Sequence, residues 1–212
     1  MSATGFGARA VLALTGISYR QLDYWARTGL VGSSIRQAAG RGSRRVYSFA
    51  DLVALRVVSQ LRAEGVSVQT IRRAVKWLRS HADEPLATLA LTAQGKKAFA
   101  LTDDPAKLIE ATAEGQVVLA ISVRNVARHL ERGVTEISAP REVMVKVRGR
   151  AFRAVLTPDL ETGGYTVEVP ELPGCRTEGD DIAEVKRMTK DAIEAWLSVD
   201  ERPKSRSRTR TG

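Results

Sequence analysis

Residues 16–31, GISYRQLDYWARTGLV, leave the chain little conformational choice. Ser18 and Gln21 have the S-x-x-Q spacing in which a serine hydroxyl accepts from an early helix N–H while the glutamine amide reaches back. Ile17 and Leu22 fall at the staple positions on either side of that cap. The spacing therefore predicts a short helix from Tyr19, stopped near Gly29 by a residue suited to a left-handed cap. On it Leu22, Trp25 and Ala26 share one side, and Arg20, Asp23, Tyr24 and Arg27 recur along another. The first side predicts core, with Trp25 inside it. The second predicts a stripe turned outward.

The flanking segments extend the pattern. Ala8 to Leu14 followed by Thr15-Gly16 supplies a preceding helix and tight turn, which together make a helix-turn-helix. After the helix, VGSSIRQAAGRGSRRVYS carries Gly32, Gly40 and Gly42 among Arg36, Arg41, Arg44 and Arg45, then returns through Val46 and Tyr47. This reads as a glycine-rich hairpin, a wing with cations at its tip. Ser48 and Asp51 repeat the capping spacing before a helix closed by Gly65, and Val66, Ser67 and Ile71 open another that bears Arg72, Arg73, Lys76 and Arg79.

Charge is distributed to match. Residues 1–80 hold 13 Lys and Arg against 3 Asp and Glu, whereas 81–145 and 146–199 each carry a net charge of −2 and the tail 200–212 carries +3. The chain's net +9 thus belongs to its first third and its end, the signature of one nucleic-acid-binding end and a body with another task. One cysteine and two histidines, His81 and His129, exclude an internal disulfide and offer no familiar zinc spacing. No metal and no cofactor is expected. No apolar run approaches the roughly 18 residues of a membrane helix, and the start MSATGFGARA has no apolar signal-peptide stretch. The expectation is a cytoplasmic protein without membrane contact.

LTGISYRQLDYWARTGLV followed by RVYSFADLVALRVVSQLRAEGVSVQTIRRAV resembles the winged helix-turn-helix of the MerR family over about 70 residues. The resemblance implies that Tyr19, Arg20, Tyr24 and Arg27 lie on the helix that enters the major groove of double-stranded DNA. It implies too that Arg44, Arg45 and Tyr47 hold phosphates beside it, with Arg41 at the wing tip. Asp23 departs from the family, which usually has arginine there. It can accept from a cytosine amino group or pair with Arg20 or Arg27 along the helix. MerR regulators join subunits through a long helix after this domain, and Pro85 in SHADEPLATLAL interrupts any such helix here.

The middle reads as a small α/β unit. PLATLALTAQGKKAFALTDDP predicts a hairpin around Gln94-Gly95, PAKLIEATAEG a short helix, QVVLAISV a strand and RNVARHLER a short amphipathic helix. Nothing in it defines a ligand site.

The last part predicts roughly three strands, turning at Gly163-Gly164, then an amphipathic helix bearing Ile182, Val185, Ala192, Ile193, Trp196 and Leu197. GGYTVEVPELPGCRTEGDDIAEV resembles the HicB antitoxin family over about 50 residues. That family has a partial RNase H-like fold without a working active site; many members neutralise a HicA ribonuclease toxin, and they usually carry a DNA-binding domain that represses their own operon. The strand from Tyr165 to Val169 can offer an edge or face to a partner chain, self-association being the simplest use.

The fold class expected is α+β: a winged helix-turn-helix over 1–80, a central α/β linker domain over 81–140, a HicB-like partial RNase H-like sheet plus helix over 141–199, and a disordered basic tail over 200–212. The function expected is that of a dimeric, sequence-specific DNA-binding transcriptional regulator and repressor, the antitoxin of a toxin-antitoxin pair with a ribonuclease partner, and not an enzyme. Two alternatives belong to other classes. One is a ligand-sensing MerR-like factor whose central unit binds a small molecule. The other is a metal-dependent nuclease using Asp159, Glu161, Glu168, Glu171, Glu178, Asp180 and Asp181, though most of these acids fall in turns, and Cys175 has no histidine in its domain to act as a nucleophile.

Overall fold

A computed structural model describes residues 5–39, 43–80, 90–94, 97–101 and 118–200. These form two compact units, one running to Ile137 and including Leu160–Thr162, the other comprising Ser138–Asp159 and the chain from Gly163.

In the first unit, α1 (Ala8–Thr15) precedes α2 (Tyr19–Arg27), α3 (Phe49–Ala63) and α4 (Val68–Ser80), and these last three begin where the capping spacings place them. Gln21 N donates to Ser18 Oγ at 3.2 Å while Ser18 N donates to Gln21 Oε1 at 2.9 Å, and Ser48 with Asp51 repeats the arrangement on α3. Gly29 takes φ +66° just past α2, the left-handed conformation its position was expected to require. Two arginines finish what glycine leaves open at the helix ends. Arg56 Nη1 donates to the Thr15 carbonyl at 2.7 Å and Arg72 Nη2 to the Thr28 carbonyl at 3.0 Å, each meeting the negative end of a helix dipole.

Asp51 does more than cap. It is almost wholly buried, and its Oδ2 accepts from Ser48 N, Ser34 N and Ser34 Oγ at 3.0, 2.8 and 2.7 Å. One carboxylate therefore fastens the start of the wing to the start of α3. Asp51→Ala leaves those donors without an acceptor and is expected to cost about 1–3 kcal/mol, read as a lowered urea midpoint, with Asp51→Asn losing less.

The core of this unit takes Phe6, Val11, Leu22, Trp25, Tyr47, Leu52, Leu55, Val58, Leu61, Ile71 and Val75. It also takes Val123, Val126, Ala127 and Leu130 from α5 (Val123–Ser138). Here the structure differs from the expected boundaries. The amphipathic helix assigned to a separate central domain over 81–140 packs into the N-terminal core. The approach is close, since a Cβ on Gly133 of α5 would lie 3.0 Å from Leu14 Cδ2. The helix is also longer than expected, at 16 residues.

The expected central hairpin is present as β1 (Ala90–Gln94) and β2 (Lys97–Leu101), antiparallel with Gln94 opposite Lys97. The expected strand is β3 (Val118–Ser122), which pairs on the other side of β1 to give the order β2-β1-β3. The helix expected over 105–115 and the tail over 201–212 lie outside the described residues.

The second unit is a four-stranded antiparallel sheet of β4 (Arg141–Val147), β5 (Arg150–Pro158), β6 (Tyr165–Glu168) and β7 (Arg176–Gly179), in that order, with α6 (Ile182–Asp200) packed against it. Its core joins Val145, Val147, Phe152, Ala154, Leu156, Val167 and Val169 to Val185 and Ile193 of α6. One strand more than expected is present: RTEG has no apolar alternation, and only its register with β6, Glu168 opposite Arg176 through Tyr165 opposite Gly179, makes it a strand. That pairing removes the edge from the expectation that Tyr165–Val169 offers an edge or a face. With β5 on one side and β7 on the other, β6 has no edge to offer. Trp196 Nε1 donates to the Pro173 carbonyl at 3.1 Å, fixing α6 to the Leu-Pro-Gly-Cys turn.

Candidate nucleic-acid interface

The capping box and the Gly29 stop hold α2 at nine residues, and Leu22 and Trp25 anchor it to the core, Trp25 at 5% exposure. The opposite side is left to solvent. Tyr19 and Tyr24 are 63% and 59% exposed, and Arg20 and Arg27 are exposed beside them. Tyr19, Arg20, Tyr24 and Arg27, the four residues that the resemblance places on the groove-entering helix, are thus all exposed on α2, while Asp23 of the expected outward stripe is half-buried among them.

Asp23 sits in the centre of that surface and takes a role the sequence only half discloses. Its Oδ2 lies 2.9 Å from Arg27 Nε, the pairing expected along the helix, and its Oδ1 lies 3.0 Å from Arg45 Nη1 of the wing. Arg45 is half-buried. Burial works against its charge, but the hydrogen bond it donates to Asp23 and the proximity of Tyr47 and Asp23 outweigh it and hold its pKa above the ordinary value. A carboxylate here ties the wing base to α2 and offsets two of the cations that flank it.

Tyr47 corrects the expectation that it holds a phosphate. At 0% exposure it cannot touch one. Its backbone pairs with Phe6 in both directions at 2.9 Å, an isolated bridge that holds the segment beneath the surface with its ring in the core. The hydroxyl is buried next to Arg45 without a hydrogen bond of normal geometry, and burial pushes the phenol above its usual pKa while the guanidinium pulls it back. Tyr47 acts on the surface only by backing Arg45.

The remaining wing cations divide. Arg44 is exposed, and its Nη1 donates to the Thr162 carbonyl at 3.0 Å. Arg36 Nη2 pairs with Glu161 at 2.8 Å and its Nε donates to the Arg44 carbonyl at 3.2 Å; both partners belong to the first unit. Arg41 lies outside the described residues. A cleft of about 370 Å³ opens between α1, α2 and the wing, with Arg9, Tyr19, Asp23, Arg44 and Arg45 in its walls. Arg9 was missed by sequence reading, because it sits on α1 amid apolar residues and only the fold brings it to the wing. A second hollow, of about 980 Å³, lies between the end of α2 and the start of α3, with Ile35, Phe49 and Val53 in its walls and Arg79 among its polar groups.

Several acids of the second unit have structural partners. Asp181 Oδ1 accepts from Ala183 N and Glu184 N at 2.8 and 2.9 Å, and Glu184 Oε2 accepts from Asp180 N at 2.9 Å, which caps α6. Glu168 pairs with Arg176 at 3.2 Å. Among the described residues no three His, Cys, Asp or Glu side chains form a group that could hold a metal ion. Cys175 is buried, and burial pushes its thiol pKa up, away from the reactive thiolate. His129 is exposed on α5, and His81 lies outside the described residues.

Comparison with known proteins agrees with this geometry at both ends. Residues 8–77 match the model of the MerR HTH family regulatory proteins, and residues 152–209 match that of the HicB-like antitoxins of bacterial toxin-antitoxin systems. Uncharacterized HTH-type transcriptional regulators of Mycobacterium bovis and Mycobacterium tuberculosis are each 38% identical over 137 residues, 65% of this chain. The chain spans about 60% of the length of these relatives. A UPF0150 protein of Archaeoglobus fulgidus is 44% identical over 48 residues, which are 23% of this chain and 68% of that protein.

Proposed function

From a chain that belongs to the MerR helix-turn-helix family through its N-terminal part and to the HicB-like antitoxin family through its C-terminal part, we propose a sequence-specific DNA-binding transcriptional regulator. It acts as a dimer on double-stranded DNA and represses its own operon. The second unit serves as the protein-interaction module and takes a ribonuclease toxin, which makes the chain an antitoxin rather than an enzyme. The observation that carries this reading is the outward stripe of Tyr19, Arg20, Tyr24 and Arg27 on a rigidly capped helix beside a basic wing. Aromatic and guanidinium groups at helical spacing are what reading base edges and binding phosphates require. Dimeric readers of this kind take half-sites about 34 Å apart or multiples of it. Among the described residues no helix is long and apolar enough to cross a membrane, in keeping with a cytoplasmic regulator.

The test is binding of the full chain to the promoter of its own gene against a scrambled duplex of equal length, with salt titrated. Preference for the promoter, and affinity that falls steeply with salt, are expected; equal or absent binding at low salt overturns the reading. Co-expression with a ribonuclease encoded beside it should give one complex that no longer cleaves RNA. The hollow of about 980 Å³ beside α2 and the wing favours a second reading, a ligand-sensing regulator, with the ligand there rather than in the central strands.

Asp23 gives this reading a quantitative consequence. Asp23→Asn releases Arg27 and Arg45 from their shared carboxylate, so up to two further cations reach phosphates. The slope of log affinity against log salt is expected to steepen by about one to two, and non-specific binding at low salt to rise roughly tenfold. Promoter preference falls with it, because the added contacts carry no sequence information.

A further inference from the structure

We propose that two copies of this chain join edge to edge through β4, giving a continuous eight-stranded antiparallel sheet. This rests on the reading of the chain as a dimer and names where the dimer is made. β4 is the terminal strand of its sheet, seven residues long. Unpaired N–H and C=O groups on such an edge are a template for another strand.

The turn into β5 fixes which groups face outward. Arg148 and Gly149 take φ +48° and +79° between Val147 and Arg150, which face each other across the ladder. A two-residue hairpin of this kind closes on a hydrogen-bonded pair, and the alternation that follows makes Val145–Phe152 and Val143–Ala154 hydrogen-bonded and Met144–Arg153 not. An independent contact agrees, since Arg153 N donates to Glu171 Oε1 at 3.3 Å and so turns away from β4. The free edge therefore presents the backbone groups of Glu142, Met144 and Lys146.

Those three residues are self-complementary. A two-fold axis through Met144 sets Glu142 opposite Lys146 of the partner subunit, Lys146 opposite Glu142 of the partner subunit, and Met144 against its own copy. This register pairs all three edge positions, and a slip of one hydrogen-bonded pair in either direction leaves two and breaks both charge pairs. The same register serves both faces. Glu142, Met144 and Lys146 are exposed, Met144 at 61%, on the side away from α6. On the side of α6, half-buried Val143 meets Val145 of the partner subunit and extends the core. The surface patch is its own partner, as a two-fold interface requires. Glu142 already accepts from Arg153 Nη1 at 3.0 Å, which orients the carboxylate on that face.

Sedimentation velocity on the full chain, from nanomolar to high micromolar concentration, tests this. Lys146→Glu and Glu142→Lys each place like charges opposite each other twice, and each is expected to weaken self-association about tenfold or more. An equimolar mixture of the two variants restores both opposite-charge pairs and should associate at least as tightly as the unaltered chain. Recovery in the mixture shows that neither substitution acts by unfolding, and Met144→Asp should also weaken association. An unaltered dimer in all three variants overturns the β4 interface and leaves the dimeric regulator standing. A chain that is monomeric at every concentration and on promoter DNA overturns both.

Discussion

Alanine at both Arg20 and Tyr24 is expected to lower affinity for the promoter by at least about 30-fold, because each well-placed side-chain contact to a base edge contributes about 1–3 kcal/mol. Both side chains project from α2 into solvent, Tyr24 at 59% exposure, and neither belongs to the core. Folding should change by no more than about 0.5 kcal/mol, as for other exposed positions, and circular dichroism melts check this. The single variants then separate the roles. An Arg20 that contacts phosphate reduces the salt slope by about one when removed, and one that reads a base relaxes sequence preference at one position and leaves the slope. Binding and slope both unchanged in the double variant would show that α2 does not meet the DNA.

The sequence discloses α2 so fully because everything that shapes it is local. Ser18, Gln21 and Gly29 set its ends, and Leu22 and Trp25 set its inner side, all within a dozen residues. Ser48 with Asp51 and Gly65 disclose α3 in the same way. The features that escaped depend on partners far along the chain. Tyr47 reads as a surface residue after two arginines until a backbone pairing with Phe6 draws it inside. Asp23 can be matched with Arg27 by helical spacing, but its bond to Arg45 exists only once the wing folds back. The stripe of Val123, Val126, Ala127 and Leu130 was legible as one side of a helix, whereas the surface it covers, the helix-turn-helix core, was not. Strand β7 has no pattern of its own and owes its form to the register with β6. Local chemistry thus disclosed the candidate interface, and non-local pairing decided which of its residues remain on the surface.

Trp25→Ala should produce the largest loss of stability of any substitution in α2, about 3–5 kcal/mol, the usual result of emptying a buried aromatic site. The ring is 5% exposed within the cluster that holds Leu22, and the Trp25 carbonyl accepts from Leu30 N at 2.9 Å, so side chain and backbone hold the helix end at the same point. A nine-residue helix cannot persist in water without such packing, and the loss is a large fraction of the 5–15 kcal/mol typical of a whole domain. Hydrogen exchange at the α2 amides is the direct measure and should accelerate by a factor of about 100 or more. Promoter binding falls as well, but by depletion of the folded helix, and this separates it from the loss caused by Arg20 and Tyr24. A stabilising osmolyte that favours the folded state should recover binding in Trp25→Ala and leave the Arg20 and Tyr24 variants unimproved. Trp25→Phe, which keeps an aromatic ring in the site, should lie between. If Trp25→Ala kept its α2 amides protected while losing promoter affinity, the tryptophan would be touching DNA, and the division of α2 into a buried and a reading side would be wrong.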